Sequence, residues 1–129
     1  MRNVEVVAAV IERDGKIFST QRGYGSNKGG WEFPGGKIEK GETHKDALVR
    51  EITEELNASI AVGDLLTTVE YQYPDMSITM HCYMCELTDP NIELLEHSDA
   101  RWLTMDNIDS VDWLPADIGA VQELKRRFS

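Results

Sequence analysis

The order of elements along the chain predicts an α/β (α+β) fold with a mixed β-sheet between helices. Three observations carry this expectation. The N-terminal segment holds β-rich runs separated by turn signals. A stripe of Leu48, Ile52 and Leu56 repeats every four residues, as on one face of a helix. A second β-rich stretch, Ile60 to Leu87, precedes another helix-forming segment near the C-terminus.

Each element has a local reason. Val4 to Ile11 is almost continuously apolar and β-branched, the pattern of a strand buried on both faces. Asp14-Gly15 is a hairpin signal, so Lys16 to Gln21 returns as the second strand. Gly23 to Gly30 is a polar, glycine-rich loop, and Trp31 to Gly36 is an aromatic stretch ending in a turn. Thr43 is placed to cap a helix, with Asp46 in capping-box register, and Asn57 tolerates the left-handed conformation that ends one. Two β-rich runs then flank the turn Tyr73-Pro74-Asp75-Met76. Pro90-Asn91 opens a loop, and Ala100 to Leu103 suggests a short strand. Leu114-Pro115-Ala116-Asp117 leads into a last helix reaching about Arg127, with basic residues where the helix dipole favours them.

Composition bounds the function. The chain has 129 residues, 41% hydrophobic and 28% charged, which fits one globular domain. Thirteen Lys and Arg against 23 Asp and Glu give a formal charge of −10. So acidic a surface is not expected to wrap a nucleic-acid polymer, which needs a basic face. A small polyanionic ligand would need a bound divalent cation to hold it. No segment combines the parts of a signal peptide, and no apolar run approaches the roughly 20 residues that span a bilayer. We therefore expect a cytoplasmic protein with no membrane partner. Cys82 and Cys85 have C-x-x-C spacing but fall on a predicted strand, where positions three apart face opposite ways. We expect two reduced thiols there, with no metal or disulfide.

The chemistry concentrates in Gly36 to Ala58. On a helix turning about 100° per residue, Glu51, Glu54 and Glu55 fall within an arc of about 100°. Leu48, Ile52 and Leu56 lie beside that arc, so like charges border the core-facing stripe. A solvated acidic face would lie opposite it. Like charges one turn apart weaken a helix by a few tenths of a kcal/mol. They also sit in its C-terminal half, where the dipole disfavours them. Converging oxygen donors suit a hard cation such as Mg²⁺ or Mn²⁺. Arg50 is near enough in angle to orient one carboxylate by a bidentate contact.

Gly36, five residues, Glu42, seven residues, then Arg50-Glu51-Ile52-Thr53-Glu54-Glu55 resembles the Nudix box, G-x5-E-x7-R-E-U-x-E-E-x-G-U with U aliphatic. The two last positions depart from it, as Asn57 and Ala58. The Val4-to-Arg22 hairpin, the Trp31-to-Lys37 approach and the Trp113-Leu-Pro-Ala-Asp117 entry to the last helix are similar to the MutT-like branch. That branch includes 8-oxo-dGTP diphosphatases and CTP pyrophosphohydrolases. The resemblance implies a single Nudix hydrolase domain over residues 1–129, folded as a Nudix α/β/α sandwich. It also implies hydrolysis of a nucleoside diphosphate linked to another group.

The resemblance carries roles to particular residues. Glu51, Glu54, Glu55 and a carbonyl of Gly35 or Gly36 would bind the cation, Mg²⁺ with Mn²⁺ able to substitute. Glu96, six residues before Trp102, would assist with metal or water. Either Glu54 or Glu96 would take the proton from water. Arg50 would orient the box carboxylates, and Glu42 would support the loop. Arg22 would hold the nucleotide and Lys37 would meet a phosphate. Glu32, Phe33, Pro34 and Gly35 match the nucleoside-contacting segment, Phe33 being equally readable as core. Asp117 would read the base. MutT-like members carry Asn there, and an ionised Asp only accepts hydrogen bonds, which leaves both guanine-type and cytosine-type bases open.

The leading expectation is a Mg²⁺-dependent (deoxy)nucleoside triphosphate pyrophosphohydrolase that sanitises the nucleotide pool, acting on 8-oxo-dGTP or a related purine triphosphate. The alternative is a CTP, dCTP or modified-pyrimidine enzyme. A diphosphate-sugar hydrolase and a non-catalytic nucleotide sensor fit the residues less well. The expected partner is the small-molecule triphosphate alone, with the protein a monomer or homodimer.

Overall fold

A computed structural model describes residues 2–128. In chain order it contains β1 (Arg2–Arg13), β2 (Lys16–Arg22), β3 (Trp31–Glu32), β4 (Gly35–Lys37), α1 (His44–Leu56), β5 (Ile60–Gln72), β6 (Met76–Leu87), β7 (His97–Leu103), a 3₁₀ turn (Ile108–Ser110) and α2 (Pro115–Phe128). The mixed sheet between two helices is as expected.

β1 is the spine of the sheet. It pairs parallel with β6 from Arg2↔Met76 to Ile11↔Cys85, and β6 pairs antiparallel with β5. On its other edge β1 has two short antiparallel partners. β4 takes Val6 to Ala8, and β2 takes only Glu12 and Arg13. Between them the Ala9 N–H donates to the Pro34 carbonyl at 2.8 Å. The sheet therefore forks, with β2, β3 and β7 splaying away from β4. The cleft of this fork becomes the site.

Val7 to Ile11 is buried on both faces, and its parity assigns each residue a layer. Val7, Ala9 and Ile11 join Leu48, Ile52 and Leu56 of α1 in one core. Ala8 and Val10 join Ala120, Val121 and Leu124 of α2 in the other. Leu48, Ile52 and Leu56 are fully buried, each contributing roughly 1.5–3 kcal/mol of apolar burial. Cys82 lies in the α2 core and Cys85 in the α1 core, on opposite faces as the spacing predicts. Both are free thiols that burial pushes up to about 12.

The ends of α1 also follow local chemistry. Thr43 Oγ1 accepts the Asp46 N–H at 3.1 Å. Asn57 adopts φ 47°, ψ 41°, and its N–H donates to the Thr53 carbonyl at 3.0 Å.

Three segments differ from expectation. Trp31 to Gly36 does not simply end in a turn; Gly35 to Lys37 runs on as β4 because β1 offers it a free edge. β7 begins at His97 instead of Ala100, because β2 supplies partners back to Arg22. β1 extends from Arg2 to Arg13, its flanking residues less buried than the centre. Among the described residues, no helix is long and apolar enough to cross a membrane.

Candidate active site

Two glycines bring the elements together. A Cβ on Gly35 would stand 2.0 Å from the Val7 carbonyl oxygen, so only glycine lets β4 run this close to β1. A Cβ on Gly36 would stand 2.4 Å from Glu51 Oε2, so the backbone of β4 lies directly against a carboxylate of α1.

Arg50 organises the acids on one side. Its Nε and Nη2 donate to both oxygens of Glu42, at 2.7 and 2.8 Å. Nη1 donates to Glu51 at 2.8 Å and to Glu54 at 3.3 Å, and Nη2 also reaches the Lys37 carbonyl at 3.0 Å. The bidentate contact thus goes to Glu42 and not to one of the three helix acids. Glu42 also accepts the Glu39 N–H at 2.8 Å, so it ties the loop to the helix. The Arg50 guanidinium holds the Glu42 carboxyl down to about 2, with the Glu39 amide adding to the effect.

The three helix acids are not equivalent. The Glu54 side chain is 55% exposed, whereas Glu51 and Glu55 are 15% and 12% exposed. Burial, then the charge of Glu51, pushes the Glu55 carboxyl up to about 9. Glu55 lines a cavity of about 300 Å³ with Arg22, Tyr24, Glu32, Glu96 and His97. There the Tyr24 hydroxyl donates to Glu96 at 2.8 Å. Glu51 and Glu54 lie outside that wall, drawn toward Arg50. Among the described residues, no three acidic, imidazole or thiol side chains stand grouped closely enough to hold an ion as they are. The expected convergence is therefore incomplete, because Arg50 takes Glu51 and Glu54 while His97 faces Glu55. The residues nonetheless fit a hard divalent cation. Every side-chain donor is an oxygen, and a buried acid raised by its neighbour's charge is the arrangement an added positive charge relieves.

Beside this cavity lies a larger one, of about 490 Å³, which shares Arg22, Ser26, Glu32 and Gly35 with it. Its walls include Phe33, Lys37, Tyr73, Met80 and Asp117. Arg22 is clamped by Glu32, with Nη2–Oε1 2.6 Å and Nε–Oε2 3.3 Å. Burial raises the Glu32 carboxyl, but His97 and Arg22 together outweigh it and leave it below the ordinary value. Phe33 serves both readings: it is buried against Trp113, ring centroids 4.6 Å apart, and it also walls the cavity. Pro34 lines neither cavity; it is buried, and its carbonyl is spent on Ala9. Lys37 reaches the larger cavity, so it can meet a ligand there.

Asp117 differs from expectation in protonation state. It is buried, and its Oδ1 accepts the Phe33 N–H at 3.0 Å. Burial outweighs that hydrogen bond and pushes the carboxyl up to about 8. Near neutral pH it is largely a neutral acid, able to donate from Oδ2, and not the acceptor-only group that an ionised Asp would be.

Sequence reasoning missed Tyr24 and His97. Tyr24 sat in a loop with no periodicity. His97 enters only through the β2–β7 register, which sets it opposite Arg22.

Comparison with known proteins agrees with the architecture. Residues 1–124 match the family model described as the NUDIX domain. The chain is 37% identical over 119 residues to a CTP pyrophosphohydrolase of Escherichia coli, covering 92% of this chain and 88% of that protein. It is 32% identical over 130 residues to an 8-oxo-dGTP diphosphatase of the same organism, covering 98% and 99%. The solution structure of the E. coli ORF135 protein superposes with a TM-score of 0.84 at 35% identity, covering 98% of this chain and 91% of that one.

Proposed function

This chain belongs to the Nudix family, and from that footing we propose that it is a Mg²⁺-dependent nucleoside triphosphate pyrophosphohydrolase of the cytoplasmic nucleotide pool. One observation supports the reading above others: a roomy cavity walled by a buried hydrogen-bonding group, Asp117, shares Arg22, Glu32 and Gly35 with an acid-lined cavity. A base fits the first and a phosphate chain the second. The larger volume is within the roughly 300–1,000 Å³ of ordinary ligand pockets.

Glu51, Glu54 and Glu55, a carbonyl of Gly35 or Gly36, and Glu96 would hold the cation. When bound, it offsets the charge of the triphosphate and withdraws charge from phosphorus. Arg22, fixed by Glu32 and shared by both cavities, would orient the phosphate end, while Lys37, on the wall of the larger cavity alone, would meet only a phosphate that reaches into it. Glu54 or Glu96 accepts the proton of the attacking water. A new P–O bond forms from that water as one phosphoanhydride P–O bond breaks, giving nucleoside monophosphate and pyrophosphate. Glu54 is exposed and held by one long contact, so it is free to swing; Glu96 is held by Tyr24 inside the cavity.

Asp117 sets the base class. Oδ1 is occupied by Phe33, so a neutral Asp117 offers an Oδ2–H to a base acceptor. Guanine O6 and its 8-oxo derivatives supply one, which supports the purine reading. Cytosine N3 and O2 also do, and similarity to the CTP enzyme favours that second reading. Side-by-side kcat/KM values for 8-oxo-dGTP, dGTP, dCTP, CTP and 5-methyl-dCTP decide between them. If pyrophosphate release from every one of them, in Mg²⁺, is no faster than with a Glu54→Gln, Glu96→Gln double variant, the proposed activity is wrong.

A further inference from the structure

His97 opens β7 directly after Glu96, opposite Arg22 where the strand register shifts. Its side chain is only 6% exposed, and its Nδ1 is buried without a hydrogen-bond partner among the described residues. Its Nε2 lies 3.6 Å from Glu32 Oε2 and 3.6 Å from Glu55 Oε1. Both distances exceed a formed hydrogen bond, and a movement of about 0.6 Å toward either oxygen would complete one. With Nδ1 facing no partner, Nε2 is the ring nitrogen placed to donate, and the Glu32 and Glu55 oxygens it faces can each accept, whether their carboxyl groups are ionised or not. The ring is thus one donor poised between two acceptors.

A packing role does not account for this placement. An apolar residue would fill the same space without the desolvation cost of burying an unpaired nitrogen. The two acceptors also belong to different halves of the site. Glu32 clamps Arg22 on the nucleotide side, and Glu55 stands among the acids on the other.

We propose that His97 is a positioning residue that couples the two halves, its single Nε2–H orienting either Glu55 among the acids or Glu32 beneath Arg22. Held on Glu55, the N–H would orient that carboxyl group among the acids that would hold a cation; held on Glu32, it would fix the clamp on Arg22, so one imidazole serves both halves. This rests on the cation-dependent reading above.

The test uses the full chain with His97→Leu, which fills the space without a donor, and His97→Gln, which restores an N–H near the Nε2 position. Mn²⁺ affinity is measured by EPR without nucleotide, and kcat and KM with Mg²⁺ and the best triphosphate. His97→Leu is expected to weaken Mn²⁺ binding and lower kcat/KM by about 10–100-fold each, with KM raised as Arg22 loosens, and His97→Gln to recover most of both. A folded His97→Leu protein with both quantities within about twofold of the parent would overturn the proposal. So would equal losses in the Leu and Gln variants, since packing alone would then explain them. Should His97→Leu not fold, ¹⁵N NMR of the parent protein decides. An Nε2–H tautomer whose resonance moves on adding Mg²⁺ supports the proposal; an Nδ1–H tautomer or an unmoved resonance overturns it. If the parent turns over no triphosphate, the proposed function falls, while the Mn²⁺ and NMR arms still decide the role of His97.

Discussion

The two sides of the acidic site are built on opposite electrostatic plans. On the Arg50 side the guanidinium meets four carboxylates, Glu39, Glu42, Glu51 and Glu54. Glu42 receives a bidentate guanidinium and a backbone N–H and is held down to about 2, and Glu51 and Glu54 share the remaining arginine nitrogens. On the other side, no arginine among the described residues pairs with Glu55, although Arg22 lines the same cavity. Glu55 is buried beside Glu51 and pushed up to about 9, and its neighbours are Glu96, Glu32 and one imidazole. Paired charge makes a frame, whereas a buried acid that holds its proton for want of a counter-charge marks where a cation would be accommodated. Arg50 of α1, tied to Glu42 of the preceding loop, thus forms a frame, and Glu55, further along α1, is the acid left facing the cavity.

The largest effect expected from breaking this contrast is on proton transfer. Glu54→Gln and Glu96→Gln remove the base candidate on each side in turn. The variant that removes the true base should lose about 10²–10⁴-fold in kcat, the other much less, as read by pyrophosphate release. Next comes the frame itself. Arg50→Lys cannot reproduce the forked contact to Glu42 or reach Glu51 and Glu54 together. We expect kcat/KM to fall about 10–100-fold, with a lowered Tm, because the loop and helix lose their tie. Retention of parental activity would mean that the frame does not position the acids.

A third prediction concerns Asp117, which lies outside both sides. Its carboxyl is raised to about 8 in the folded protein from an ordinary value of 3.8. The folded state therefore binds a proton that the unfolded state has already released, and this group's contribution to stability falls as pH rises from about 4 to about 8. Asp117→Asn abolishes that slope. The stability difference between this variant and the parent protein, from urea unfolding, should shift in the variant's favour by on the order of 1 kcal/mol per pH unit across that window. A difference that does not change with pH would show that Asp117 is ionised throughout. The smallest effect is at the helix end. Asn57→Gly relieves a left-handed non-glycine residue but gives up the Asn57 Nδ2–Glu93 hydrogen bond of 2.7 Å. The two changes oppose one another, and Tm should move by the equivalent of less than about 1 kcal/mol.

What could be read in advance was local. Capping at Thr43, the stripe of Leu48, Ile52 and Leu56, the left-handed Asn57 and the arc of Glu51, Glu54 and Glu55 are all set within a few turns of one helix. Periodicity determines such features without reference to the rest of the chain. The same holds for the opposite facing of Cys82 and Cys85 on one strand.

Other features depend on residues far apart in the chain, and only the tertiary structure decided them. Glu42 captured the forked contact of Arg50 because a loop folds back over α1. Pro34 became a backbone partner of Ala9 because the sheet forks there. Asp117 became a neutral acid because the fold buries it, and that burial outweighs the Phe33 N–H bond that favours its charge. His97 came to face Glu32 and Glu55 because β7 pairs with β2 as far back as Arg22. The amino-acid sequence by itself determined the helix, its acids and the layers on either side of β1. Which acids are paired, which are protonated and which face a cavity followed from long-range packing, because burial and charge pairing are properties of a neighbourhood that no stretch of chain carries alone.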